Sequence, residues 1–154
     1  MRPPVADTDT ARALGLLAAV LDLYESSPLH FIQPVQMMFD RIFPSLLNGQ
    51  YRLLMKGERP LSFVNWAWLT PELSQQLLDG RAAIAPDQWT GGSELWFMEI
   101  VARDGMMSAL VRDLQKIFPP GTHARWLRIG PSGEVQGIGE VRMPGKAPPE
   151  LGKG

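Results

Sequence analysis

Two side chains in this sequence have types and settings that suit acid–base chemistry. His30 closes the run Ser26-Ser27-Pro28-Leu29-His30, and Glu99 interrupts the apolar run Leu95-Trp96-Phe97-Met98-Glu99-Ile100-Val101. An imidazole titrates near ~6.5 and can take up a proton at neutral pH. Pro28 fixes the backbone just ahead of it, so the ring is delivered from a defined turn. A carboxylate inside an apolar strand is costly unless it gains a cationic partner, a raised pKa or access to water. Together they have the makings of a general base and the acid that orients it. The plainer readings are a loop histidine bonded to neighbouring backbone, and a sheet edge where Glu99 simply reaches water. The chain has only two histidines, and the other, His123, stands among strand-like residues and reads as structural.

Composition narrows the chemistry further. At 154 residues, 45% of them hydrophobic and five of them tryptophan, the chain has the material for one domain with a real core. Fifteen basic against sixteen acidic residues leave a net charge of -1, so no global field attracts nucleic acid or a membrane surface. There is no cysteine, which excludes a disulfide and thiolate chemistry. With two histidines and no thiolate, no metal site is expected. Met1–Thr10 is polar and proline-bearing, unlike a signal peptide. The longest apolar stretch, Leu14–Leu21, falls far short of the ~20 residues that span a bilayer. A cytoplasmic protein without an integral membrane segment is expected.

The elements that must position His30 and Glu99 follow from periodicity. Residues 8–143 are expected to form a single domain, with 1–7 as a flexible arm and 144–154 as a flexible tail. Thr8, Asp9 and Thr10 offer N-caps for a helix to about Tyr24, with Leu14, Leu17, Ala18, Leu21 and Tyr24 on one face. Ser26-Ser27-Pro28 stops it. A second helix opens at Pro34 and turns Val35, Met38, Phe39 and Ile42 inward; Pro44 bends or ends it, and Asn48-Gly49 closes it. The period then changes to two. Gln50–Met55 and Leu61–Leu69 read as a hairpin around Lys56–Pro60, Thr70-Pro71-Glu72 caps a short helix to about Leu78, and 85–93 is loop. Glu94–Ala102 is the strongest strand, with Leu95, Phe97, Glu99 and Val101 on one face. A helix from about Met106 to Phe118 follows, then a hairpin of His123–Ile129 and Glu134–Met143 around Pro131-Ser132-Gly133. This order predicts an α+β fold of mixed α/β layers, an antiparallel meander followed by a crossover helix.

Other candidates are weaker. Arg103-Asp104-Gly105 opens a helix straight after the strongest strand, where free N–H groups can hold a phosphate. The spaced glycines of a full phosphate loop are incomplete, and an ordinary strand-to-helix turn explains it as well. Arg112 and Lys116, four apart on that helix, could join Arg103, Arg125 and Arg128 in a basic face, although Asp113 among them suggests a solvated face. Trp66, Trp68, Trp89 and Trp96 suit a core or a pocket wall. Met37, Met38, Met55, Met98, Met106 and Met107 would suit either core filling or a pliable lining for a flexible chain.

Taken in order, these motifs resemble the RTX toxin-activating lysine acyltransferases, the hemolysin-activating family. The likeness rests on Ser26-Ser27-Pro28-Leu29-His30, Pro34-Val35, Gln50-Tyr51, Ser62–Leu69 with Trp66-Ala67, Trp89-Thr90, and Trp96-Phe97 with a carboxylate two residues on. It continues through Phe118-Pro119, Arg128-Ile129 and Pro131, covering about Leu14 to Met143. The resemblance implies a GNAT-like fold with a mainly antiparallel central sheet flanked by helices. It implies transfer of a fatty acyl group, carried as acyl-phosphopantetheine on acyl carrier protein, to an internal lysine of an RTX-type protoxin. The carrier's acyl group would be a co-substrate, with no permanently bound cofactor, and a homodimer is expected. The family's catalytic histidine falls on His30, its serine on Ser27, and its catalytic aspartate on Glu99, a carboxylate on a longer arm. Ser27 would either orient His30 or donate to the thioester oxygen. Arg103, Gly105, Arg112 and Lys116 are the candidates for binding the carried pantetheine. Two other functions are weighed against this one: a coenzyme A-dependent GNAT-type N-acetyltransferase, and an inactive relative that binds an acyl chain or a partner.

Overall fold

The computed structural model describes residues 8–27, 35–80, 84–130 and 134–144. Helix α1 (Thr8–Glu25) opens the chain. Its inward stripe is Ala13, Leu17, Val20, Leu23 and Tyr24, while Leu14 and Leu21 lie on the outside at 46% and 43% exposure. The expected stripe was therefore rotated. The helix is apolar on most of its circumference, so spacing alone does not say which side meets the sheet. Helix α2 (Val35–Arg41) and helix α3 (Phe43–Asn48) replace the one bent helix expected, broken at Ile42. Pro44 has no N–H to continue α2 and sits instead in the first turn of α3, where that N–H is not needed. Gly49 ends α3 in the left-handed region at φ 72°, which favours glycine, and the Gln50 N–H then bonds back to Ser45 O at 2.9 Å. Ile42 is buried as expected, but Phe39 is exposed.

Five strands follow in one sheet, in the order β1-β2-β3-β4-β5. They are β1 (Tyr51–Lys56), β2 (Arg59–Leu69), β3 (Glu94–Ala102), β4 (His123–Ile129) and β5 (Val135–Arg142). All neighbours are antiparallel except β3 and β4, which the crossover helix α5 (Met107–Ile117) makes parallel. Helix α4 (Pro71–Leu78) joins β2 to the loop before β3, its Thr70 hydroxyl accepting from the Leu73 N–H at 3.3 Å. A 3-10 turn over Pro86–Trp89 is the one element in the expected loop. The result is an α+β architecture, and both strands of the expected meander and the crossover are in place.

Alternation along β2 divides the core into two layers. Phe63 packs with α1 and α3 through Ala13, Leu17, Val20, Leu23, Ile42 and Leu46. Further along the same face, Ala67 and Leu69 pack with Leu77, Ile84, Trp89, Trp96 and Met98. The other face carries Val64 and Trp66 against Leu95, Phe97, Leu110, Leu114 and Phe118. Phe118 stands edge-on to Trp66 with ring centroids 5.0 Å apart, closing that layer. Asn65 lies on the first face between its two apolar clusters, fully buried.

The approach of β3 to β2 depends on Gly92. Its N–H donates to Trp68 O at 3.1 Å, and a Cβ placed there would fall 1.9 Å from the Leu69 carbonyl carbon. Because the obstacle is backbone, no rotamer change relieves it. Gly92→Ala is expected to destabilise the fold by about 3 kcal/mol, the upper end of overpacking costs. Urea unfolding checks this; loss of less than ~0.5 kcal/mol would show that the strands can separate there without cost.

Candidate functional site

The register between β2 and β3 breaks at one place. Asn65 pairs with Glu99 and Trp66 pairs with Phe97, so Met98 is an extra residue on β3. Such a bulge bends its strand and reverses the parity of every side chain beyond it. Leu95 and Phe97 therefore face α5, whereas Glu99 and Val101 face the side of α1. The expectation that these four share a face is corrected by that single inserted residue. The parallel ladder with β4 also stops here. It runs Leu95–Ala124, Trp96–Arg125 and Phe97–Trp126, although β3 continues to Ala102 and β4 to Ile129.

A bulge leaves backbone groups without ladder partners, and a buried polar group must be bonded. Side chains supply the bonds. The Glu99 N–H donates to Asn65 Oδ1 at 2.7 Å, and Met98 O accepts from Arg41 Nη2 at 2.9 Å. Asn65 in turn donates from Nδ2 to Arg41 O at 2.7 Å and to Ser45 Oγ at 3.0 Å. Ser45 donates its own hydroxyl to Ile42 O at 2.6 Å. One carboxamide thus ties the strand that carries Glu99 to the junction of α2 and α3.

The Glu99 carboxylate is held from two sides. Tyr24, at the end of α1, donates its hydroxyl to Oε2 at 3.0 Å. Arg41, the last residue of α2, brings Nε to 2.8 Å from Oε1, off the N–H axis, so the contact is a Coulombic one. The acid is 14% and the guanidinium 23% exposed, so screening by water is weak but not absent. The cationic partner expected for a carboxylate in this strand is therefore Arg41. Burial first, and then the charge and hydrogen bond of Glu99, push the Tyr24 hydroxyl far above the ordinary phenol range, with Arg41 opposing. Tyr24 stays a protonated donor. Clamped in this way, the carboxylate can orient a neighbouring donor and stabilise a positive charge that forms beside it.

Ser27 is half-buried, its N–H donating to Tyr24 O at 3.1 Å as α1 tightens to its end. His30 lies outside the described residues. The two elements bounding its segment, α1 and α2, are the ones that supply Tyr24 and Arg41 to Glu99. The basic candidates are not brought together. Arg103 turns to α1, pairing with Asp22 at 2.8 Å and donating to Pro60 O at 2.8 Å. Arg112 and Lys116 stand exposed on α5, over the opposite face of the sheet, and Arg128 is exposed on β4. Arg125 lies over the Trp96 ring, 5.7 Å from its centroid. Gly105 holds a left-handed turn at φ 79°, and α5 opens without a side-chain cap. His123 lies 3.5 Å from Glu140 across the β4–β5 pair. Among the described residues no cluster of His, Asp and Glu could hold a metal, and no helix is long and apolar enough to cross a membrane.

Comparison with known proteins identifies the kinship. The family described as the RTX toxin acyltransferase family matches residues 7–141. The chain belongs to that family. The RTX-I toxin-activating lysine-acyltransferase ApxIC of Actinobacillus pleuropneumoniae is 33% identical over 125 residues, 81% of this chain and 72% of that protein. The protein-lysine myristoyltransferase HlyC of Escherichia coli is 30% identical over 129 residues, 84% and 75% of the two chains. The lysine-acyltransferase RtxC of Vibrio cholerae is 29% identical over 117 residues, 75% and 76%. The resemblance carried by the short motifs is thus shown over most of the chain.

In this member of the family, sequence reasoning singled out the acid but missed what holds it. Asn65 offered the signal, a carboxamide inside Phe63-Val64-Asn65-Trp66-Ala67, the same anomaly as Glu99. Arg41 gave none, since a basic residue in a last helical turn is ordinary. The clamp has a measurable alkaline signature. An acid whose pKa is raised on folding stabilises the fold below its unfolded pKa, about 10 for tyrosine, and that contribution is lost as pH rises above it. Tyr24→Phe is expected to lower stability by about 1.5 kcal/mol at pH 7, the worth of a hydrogen bond to a charged group. It should also remove one proton's share of the decline above pH ~10. Denaturant titrations across that range check both, and an unchanged alkaline slope in the variant would contradict the assignment.

Proposed function

We propose that this chain transfers a fatty acyl group from acyl carrier protein to the ε-amine of an internal lysine of an RTX-type protein. The observation that carries the reading is the clamped Glu99 carboxylate, in contact with both helices that bound the His30 segment, in a chain of this family. We propose a GNAT-like fold on the strength of the mainly antiparallel sheet flanked by helices.

The chemistry runs in balanced steps. The lysine side chain, an ammonium with pKa near ~10.4 in water, first gives one proton to solvent; the neutral amine then attacks the thioester carbonyl carbon and must shed its second proton as the C–N bond forms. His30 accepts that proton as general base, and Glu99 orients the ring and stabilises the imidazolium. As the tetrahedral intermediate collapses, the C–N bond is kept and the C–S bond breaks. The pantetheine thiolate leaves and takes the proton from His30. Ser27 either orients His30 or donates to the thioester oxygen. With no cysteine in the chain, direct transfer needs no acyl-thiol on the enzyme.

An acidic carrier would be met by Arg112 and Lys116, which α5 holds out into solvent. Arg103, bonded to Asp22 and Pro60, shapes the turn at Gly105 in this proposal. The pantetheine arm ends on a protein serine, so a full diphosphate cradle is not required. The family likeness supports a homodimer in the cytoplasm as the working form.

The test is transfer of acyl mass to a lysine of an RTX-type acceptor, read by mass spectrometry with acyl carrier protein or coenzyme A as donor. Wild type is expected to use the carrier. His30→Ala should cost about 10²–10⁴-fold in kcat, the range of general-base catalysis, and Glu99→Gln at least about tenfold, with small changes in KM. Full activity in His30→Ala would overturn the mechanism. Transfer from coenzyme A alone would assign the chain to the acetyltransferase reading, and no transfer from either donor to the inactive-relative reading.

A further inference from the structure

We infer that Asn65 is a positioning residue for the acyl transfer, setting where Glu99 stands by holding the bulge in β3 against the α2–α3 junction; this rests on the function proposed above. Asn65 touches no reacting group. Its place in the network is what argues for the role. It is 0% exposed in a strand whose neighbours Phe63, Val64 and Ala67 are apolar and equally buried. A buried carboxamide contributes little net stability there compared with an apolar side chain of its size. It does, however, impose geometry.

Each of its polar atoms is committed. Oδ1 accepts from the Glu99 N–H at 2.7 Å, the donor that the extra residue Met98 removes from the regular ladder. Nδ2 donates to Arg41 O at 2.7 Å and to Ser45 Oγ at 3.0 Å. Arg41 then returns to the same bulge, donating from Nη2 to Met98 O at 2.9 Å and placing Nε 2.8 Å from Glu99 Oε1 as an ion pair. The loop is closed. Asn65 fixes the backbone of the acid and the backbone of its cation from one side chain, so the carboxylate and guanidinium move together or not at all. A slip of the bulge by one residue would send Glu99 to the α5 face, away from Tyr24. A displacement of about 1 Å at a catalytic group is enough to cost ~10²-fold in rate.

Asn65→Leu keeps the branched shape in a larger volume and removes every one of these bonds. Ser45→Ala removes only one and leaves the fold of the junction to the remaining partners. Both are compared with wild type for kcat, for KM of donor and acceptor, and for the pH profile of kcat. Asn65→Leu is expected to lose about 10–100-fold in kcat, with KM values within ~2-fold and a displaced pH profile. Ser45→Ala should lose about 3-fold in kcat, again without change in KM. If Asn65→Leu does not fold, Ser45→Ala carries the test alone. A merely structural role would lower the melting temperature and the active fraction while leaving the pH profile in place, and that result overturns the inference. Variants with the wild-type kcat also overturn it. A wild type without transferase activity overturns the proposed function instead, and this role with it.

Discussion

The hydrogen bond from the Glu99 N–H to Asn65 Oδ1, 2.7 Å long and partly buried, is the constraint on which the site depends. It stands where a regular ladder would have placed a backbone carbonyl, and it exists because β3 carries one residue more than β2 requires. That extra residue has two effects. It reverses the facing of Glu99, bringing the carboxylate to Tyr24 and Arg41, and it coincides with the last rung between β3 and β4. A strand that kept its register would have turned the acid toward the apolar layer of Leu110, Leu114 and Phe118, away from Tyr24 and Arg41.

The surrounding packing explains why this irregular strand is tolerated. Phe63 and Val101 on one side of the bulge, and Ala67, Trp96 and Met98 on the other, are locked into separate apolar clusters of the same face. Each cluster fixes its half of β3, and the polar network fills the interval between them. The apolar layer under α5 runs past the same point on the opposite face with Val64, Phe97 and Ile100. The acid is therefore held between packed elements, as the orienting role proposed for it would require.

Much of this was legible in the residues. β3 and β4 have the bounds that alternation and turn residues predicted, and Thr70, Pro44 and Gly49 act as cap, breaker and stop for the reasons their chemistry suggests. Glu99 could be singled out because a carboxylate in an apolar run needs an explanation. Its facing could not be read, because a bulge leaves no mark in a periodicity of two. The inward stripe of α1 was misread for a related reason: Leu14 and Leu21 are as apolar as Leu17 and Leu23, so composition does not separate outside from inside. Spacing allowed the basic residues a common face but favoured a solvated one, and they do stand apart: Arg103, in the turn after β3, pairs with α1 on one side of the sheet, while Arg112 is exposed on α5 over the other. His30 was singled out by residue type and setting and Ser27 by the family likeness, while Asn65 and Arg41 emerged only from the fold.

The proposed function requires the bulge to present the Glu99 carboxylate to the imidazole of His30. A crystal structure of the chain with its carrier-bound substrate measures that separation directly. The prediction is a ring nitrogen of His30 within hydrogen-bond reach of a Glu99 oxygen, about 2.6–3.2 Å or across one water. A ring turned to solvent, with Tyr24 and Arg41 the only groups at the carboxylate, would contradict it.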